Sequence, residues 1–255
     1  MKLEERTWPA IAEHSRDLPV VLPVAAIEQH GHHLPLATDS LLLGAIVERV
    51  EQARGERVLI APLMWLGNSH HHLDFEGTLS CPPRVYLDLL AGLLDNLIGH
   101  GFRRLLVLNG HGGNDVPGKQ ALFEVRQKHR CREDLLLLFA TYWTLGSQPS
   151  ESVPEIVQEA MGHACEWETS MMLHLAPHLV GDYRNAPPVD PGDGFGPAAR
   201  AWTTRERSIP GHIGYPHQAC AAKGERLLDC FTSDVLQLID RVAAWDGRSW
   251  ESESK

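Results

Sequence analysis

The strongest constraint on this chain is an alternation. Four short, nearly unbroken apolar runs, at 18–27, 57–63, 104–108 and 135–140, are separated by stretches with helical periodicity. A strand with one wet face alternates apolar and polar residues, whereas a run that is apolar throughout belongs to a strand covered on both faces, as in a parallel sheet. Tyr86, Leu89, Leu90, Leu93, Leu94 and Leu97 recur at helical spacing between Pro82 and Gly101, so this helix carries its own start and stop signals. Further helices are expected over 40–53, 117–129, 166–175 and 225–244, the last with Leu228, Phe231, Val235, Leu238, Ile239 and Val242 on one stripe. Strands alternating with helices imply an α/β fold, with right-handed crossovers that place helices on both faces of a mostly parallel sheet.

A chain of 255 residues can bury a core without disulfides or a structural metal. With no internal repeat and no convincing boundary, 1–255 reads as one domain. The exception to its regularity is 181–217, with six prolines and six glycines in 37 residues. Because this stretch also holds Phe195, Trp202 and Tyr215, it is expected to be a long ordered loop serving as a lid or subunit contact. Lys and Arg total 23 against 33 Asp and Glu, a net charge of −10, which disfavours nucleic acid and anionic membranes as partners. The charged N-terminus lacks a signal-peptide core, no apolar run is long enough to span a bilayer, and the five cysteines form no C-x-x-C pair. A reducing, cytoplasmic setting is expected.

Fifteen histidines, against four tyrosines and six phenylalanines, gather beside carboxylates. Glu28-Gln29-His30-Gly31-His32-His33 follows the first apolar run, and Asp39 comes soon after. In extended chain Glu28 and His30 point the same way, and carboxylate with imidazole suits zinc, manganese or iron better than calcium. Asp39 equally suits a helix N-cap. Asn109-Gly110-His111-Gly112-Gly113-Asn114 follows the third run, and both loops would meet at the carboxyl edge of the sheet. The second lacks the spacing and the lysine of a phosphate-binding loop. His163, Glu166 and Glu168 crowd one short segment, where the acids either complement a helix dipole or supply a base and a ligand. Asn68-Ser69-His70-His71-His72 is either an exposed loop or a wall of the same cleft.

Three of these motifs, in this order, resemble the creatininase (creatinine amidohydrolase) family. Glu28-Gln29-His30-Gly31-His32-His33-Leu34-Pro35-Leu36 with Thr38-Asp39 looks like its E-Q-H-G-x-H-L-P-L…T-D signature. Asn109 to Asn114 looks like its N-G-H-G-G-N, and His163 to Ser170 like its H-A-x-E-x-E-T-S. The resemblance implies a three-layer α/β/α sandwich, a two-metal centre, a small-molecule substrate and assembly into homo-oligomers, commonly hexamers. It places Glu28, Asp39 and His111 on one metal, and His30 with the shared Asp39 on the other. Where creatininases proper carry a ligand glutamate two residues after the loop histidine, this chain has Gly113. Glu168 is the expected replacement, with Glu166 as its understudy. His163 matches the histidine of proton transfer, and His163 with Glu166 form the expected catalytic set. Trp143 matches one member of the tryptophan clamp, and no match for the other precedes His163.

The expected activity is metal-dependent hydrolysis, with zinc or manganese as cofactor and iron served by the same ligands. Water is activated to cleave an amide C–N bond or open a small cyclic substrate. Ring opening of a cyclic diketone such as a diketo-inositol, at a C–C bond, is the alternative. A non-catalytic metal-binding protein is a third reading.

Overall fold

The computed structural model describes residues 1–146, 149–248 and 250. In chain order its elements are α1 (Trp8–Glu13), β1 (Val20–Val24), α2 (Thr38–Arg54), β2 (Leu59–Ile60), α3 (Pro83–Gly99), β3 (Arg104–Asn109), α4 (Asp115–Lys128), β4 (Leu136–Thr141), α5 (Pro149–Ser152), α6 (Glu166–Leu175), α7 (Thr204–Arg207) and α8 (Ala221–Ala244). Each apolar run yields one strand, and the four strands form a parallel sheet in the order β2-β1-β3-β4. Val20 pairs with Leu59 on one side and Leu105 on the other, and Leu105 with Leu137.

The strands are apolar on both faces because both are covered. Val21, Ile60, Leu106 and Leu108 face a core shared with Leu42, Leu43 and Ile46 of α2, Met171 and Met172 of α6, and Leu228 and Phe231 of α8. Val20, Leu22, Val24, Leu105 and Val107 face a second core with Tyr86, Leu90 and Leu94 of α3 and Ala121 and Val125 of α4. This is the expected three-layer α/β/α sandwich. Helix α3 runs over the predicted stripe, and α6 has the predicted bounds. Helix α8 starts four residues before the expected Glu225, because Lys223 and Gly224, polar or bare in sequence, are buried in its first turns. The second strand shrinks to two residues, and α1, α5 and α7 are too short for periodicity to mark. No helix among the described residues is long and apolar enough to cross a membrane.

The order 2-1-3-4 places the site. The chain leaves β1 toward β2 with α2 on one face, then returns past β1 to β3 with α3 on the other. At such a reversal the loops after the two central strands part and leave a crevice at the carboxyl edge.

Candidate metal centre

The crevice at β1 and β3 is where the two histidine loops meet. Glu28 and His30 follow β1, His111 follows β3, Asp39 lies in the first turn of α2 and Glu168 in the first turn of α6. All five side chains are buried, Glu28 at 1% exposure and His30 at 0%. Two asparagines shape the second loop: Asn109 accepts the His111 N–H (3.1 Å) and donates to its carbonyl (2.7 Å). Asn114 donates to the Ala25 carbonyl (3.0 Å) and accepts the Asn68 N–H (2.8 Å), tying the His70–His72 turn to the edge.

The Asp39 carboxylate faces two ways. Its Oδ1 lies 3.1 Å from His30 Nε2, and its Oδ2 lies 3.1 Å from His111 Nδ1. His111 Nδ1 also faces Glu28 Oε1 at 3.3 Å, and His30 Nε2 faces Glu168 Oε1 at 3.7 Å. Donor atoms held ~2.1 Å from a common tetrahedral ion sit ~3.4 Å from one another, the spacing seen here. Two sets of candidate ligands thus share Asp39: Glu28 and His111 on one side, His30 and Glu168 on the other.

Hydrogen bonds behind the rings test this fit. His30 Nδ1–H donates to the Glu28 carbonyl (3.1 Å), and His111 Nε2–H donates to the Asn68 carbonyl (2.9 Å). As neutral imidazoles the two rings turn a lone pair toward carboxylate oxygens, an arrangement that a bound cation or a second ring proton relieves. Glu28 Oε2 and Asp39 Oδ2 are buried and accept no hydrogen bond. Burial opposes charge on both rings, yet Asp39 and Glu168 hold His30 well above its ordinary range, and Glu28 with Asp39 lifts His111 to about 10. The pocket is built for positive charge, and a divalent ion that prefers nitrogen and oxygen fits its donors.

His163 stands beside these groups, its Nδ1 3.7 Å from Glu28 Oε1. Its Nε2–H donates to the Gln29 carbonyl (2.7 Å), so Nδ1 is the free base. Burial, then the neighbouring His30 ring, push its pKa down to about 3, leaving that lone pair available at neutral pH. The Gln29 amide accepts the Gly31 N–H (2.9 Å) and donates to the Gly211 carbonyl (2.8 Å) and to His72 Nδ1 (2.7 Å). His72 Nδ1 is therefore an acceptor, and its Nε2–H points at Glu28 Oε1, 3.4 Å away. In this tautomer His72 holds the carboxylate of Glu28, and with Glu28 and His163 it forms a further cluster of donor atoms close enough to share an ion. The His70–His72 turn is accordingly a wall of the cleft, and His71 stacks on His111 with ring centres 5.8 Å apart. Neither the Gln29 network nor His71 stands out in sequence beyond the run of three histidines.

Glu166 corrects an expectation. It is fully buried, but its Oε1 pairs with Lys223 Nζ (2.6 Å) and its Oε2 accepts the N–H of Val157 (3.0 Å) and Gln158 (2.7 Å). Residues two apart on a helix lie about 200° apart around it, so with Glu168 facing His30 Glu166 faces away. Its work is to anchor 157–158 and α8. Glu168 itself serves twice: its Oε2 accepts the Cys165 N–H (3.3 Å), leaving Oε1 toward His30.

Gly113 is explained by its surroundings. A Cβ there would run into the Asn68 carbonyl and His111 Nε2, and would lie 2.8 Å from His71 Cε1. The His70–His72 wall fills the space that a side chain at this position would need. Above the cluster opens a cavity of about 1000 Å³, with Trp143, Val157, Met161 and Ile213 on its walls. Trp143 lines it as expected. The second tryptophan comes from the 181–217 segment, as Trp202, whereas Trp167 is buried with its Nε1–H on the Gln158 carbonyl (2.9 Å). His163 and Ile213 exchange two backbone hydrogen bonds (2.9 and 2.7 Å), which ties the end of this segment to the wall of the site.

The family model "Creatininase: Creatinine amidohydrolase" matches residues 4–239. A mycofactocin precursor peptide peptidase of Mycolicibacterium smegmatis is 30% identical over 237 residues, covering 91% of this chain and 87% of that protein. A creatinine amidohydrolase of Pseudomonas putida is 30% identical over 254 residues, covering 92% and 94%. A solved creatininase variant in its Zn-Zn form superposes with a TM-score of 0.81 at 27% identity, covering 96% of this chain and 98% of that one. A manganese form gives 0.80 at 27%, covering 96% and 99%. Two buried half-sites sharing one aspartate, at the crevice edge of this fold, agree with those matches: the chain belongs to the creatininase family of hydrolases.

Proposed function

We propose that the protein hydrolyses an amide C–N bond in a substrate larger than a five-membered lactam, using two divalent ions, zinc or manganese. The observation that carries this is the pair of buried carboxylate oxygens, Glu28 Oε2 and Asp39 Oδ2, without hydrogen-bond partners at the floor of the large cavity. Glu28, Asp39 and His111 would hold one ion; His30, Glu168 and the shared Asp39 the other. When bound, the metals supply Lewis-acid activation of water and of the scissile carbonyl. His163 Nδ1, kept unprotonated by its surroundings, receives the proton of the attacking water and passes it to the leaving nitrogen. Gln29 fixes the His163 tautomer through its carbonyl and Glu28 through His72, so neither group reorganises during turnover. Trp143 and Trp202 shield the reacting atoms from bulk water. In the described residues all five cysteines are free, which supports a reducing compartment. Exposed Val116 and Phe123 on α4 support homo-oligomer assembly, a hexamer by family resemblance.

The test is proton NMR of metal-loaded protein with three pools: short peptides, lactams with formamides, and keto-inositols with cyclic diketones. Release of an amine from the peptide pool is expected. Ring opening in the third pool alone would replace the reading with C–C hydrolysis, and turnover of five-membered lactams in preference to peptides would overturn the size argument.

A further inference from the structure

Every acidic group of the cavity faces the candidate metal centre or solvent, and apart from the histidines one basic side chain lines its wall: Arg207, at the end of α7. Its guanidinium lies over the Trp202 ring, 4.4 Å from the centroid, and one Nη–H donates to the Pro191 carbonyl (2.9 Å). A guanidinium has five N–H donors. Among the described residues no carboxylate lies within ion-pair distance of this one, although Glu28, Asp39, Glu159 and Glu168 line the same cavity. Partial burial, with Arg200 adding to it and Glu206 opposing, lowers the pKa of Arg207, so its charge is under-compensated where it stands.

The arginine is also held in register with the metal cluster. Thr204, three residues earlier on the same helix turn, donates its hydroxyl to His72 Nδ1 (3.0 Å), and His72 holds Glu28. Trp202, the plate under the guanidinium, packs its edge against His71, with ring centres 5.0 Å apart. One turn of chain thus fixes an unpaired cation relative to the reacting centre from two directions.

We infer that Arg207 binds a carboxylate of the substrate, so that the scissile amide belongs to an acid-bearing molecule such as a peptide with a free C-terminus. One guanidinium edge matches the two oxygens of a carboxylate, and a single cation in an acidic protein suits a monoanion better than a phosphate dianion. This rests on the hydrolytic reading above but makes a separate claim. The test uses hydroxamates, which chelate divalent metals: acetohydroxamate, and the monohydroxamates of dicarboxylic acids from succinic to suberic with their methyl esters. Binding to the metal-loaded full-length protein is measured by calorimetry. At one or more tail lengths the free acid should bind ten- to a hundredfold tighter than its ester. Arg207→Gln should erase that difference while leaving the esters and acetohydroxamate within twofold, and Arg207→Lys should retain part of it. No acid advantage at any length, or an equal loss for acid and ester in Arg207→Gln, overturns the inference. Failure of acetohydroxamate to bind, with the acid advantage intact, would instead overturn the metal reading and leave Arg207 standing.

Discussion

Asp39 is the residue on which the centre turns, since its two oxygens face His30 and His111 separately at 3.1 Å. Asp39→Asn should therefore empty both half-sites, whereas Glu168→Gln should cost one metal per chain; elemental analysis after dialysis reads both, and full occupancy of Glu168→Gln would remove it from the ligands. His163→Ala should keep both metals and lose 10²- to 10⁴-fold in kcat; loss of metal instead would make His163 a ligand. These residues were legible because strand ends and helix starts at one sheet edge are where side chains converge. Asp39 equally suited a helix N-cap and entered the set through the family resemblance, whereas Glu28, His30 and His111 could be gathered at one edge by that rule. The split between Glu166 and Glu168 did not follow from it, because both lie in an acidic first turn and the choice was made by Lys223, 57 residues away. The roles of Gln29 and His72 were hidden for a similar reason, since a tautomer depends on the acceptor behind the ring and no spacing reports it.

Among elements, α6 and α8 carry the site's support. Gly224 lets the two helices touch: a Cβ there would run into the Ser170 carbonyl and sit 2.8 Å from the Met171 nitrogen. Gly224→Ala should cost about 3 kcal/mol in urea unfolding, by forced separation of packed backbone. Lys223→Met leaves the fully buried Glu166 with backbone donors alone, and a similar loss of about 3 kcal/mol is expected, with metal content unchanged. Reduced metal content in Lys223→Met would show that α6 shifts as a body and carries Glu168 with it. The helices themselves were written in their apolar stripes, yet the first turns of α8 were not, because a lysine and a glycine carry no periodic signal. Likewise α7, at four residues, gave no stripe, although the Phe, Trp and Tyr content of 181–217 already marked that segment as ordered. Those aromatics are not a core, however: Phe195 stays 61% exposed, and Trp202, 39% exposed, lines the cavity.

At the scale of the whole molecule, stability is linked to metal and to pH. Ions that bind only the folded chain, at a thousandfold excess over their dissociation constant, contribute about 4 kcal/mol per site, worth roughly 10 °C in a chain of this size. Chelation should lower Tm by at least that much, and zinc or manganese should restore it. Acid acts through buried neutral histidines, and His33 isolates the effect because it lies outside the proposed ligand set. Its Nε2–H donates to the Ala164 carbonyl (3.0 Å) and its ring meets His212 edge-on at 5.7 Å. Burial, then the His212 ring, lower its pKa from 6.5 to about 4. The unfolded chain therefore takes up this proton before the folded one does. The contribution of His33 is intact above pH 6.5, declines as pH falls toward 4 and is then fully lost, a change of about 3 kcal/mol. Metal-free wild type should lose that much more stability between pH 7 and 4 than metal-free His33→Gln, measured by urea unfolding at each pH. Parallel pH profiles for the two proteins would mean that His33 titrates in the fold as it does in the unfolded chain, and a relative gain for wild type on acidification would mean that its bond to Ala164 stabilises the charged ring.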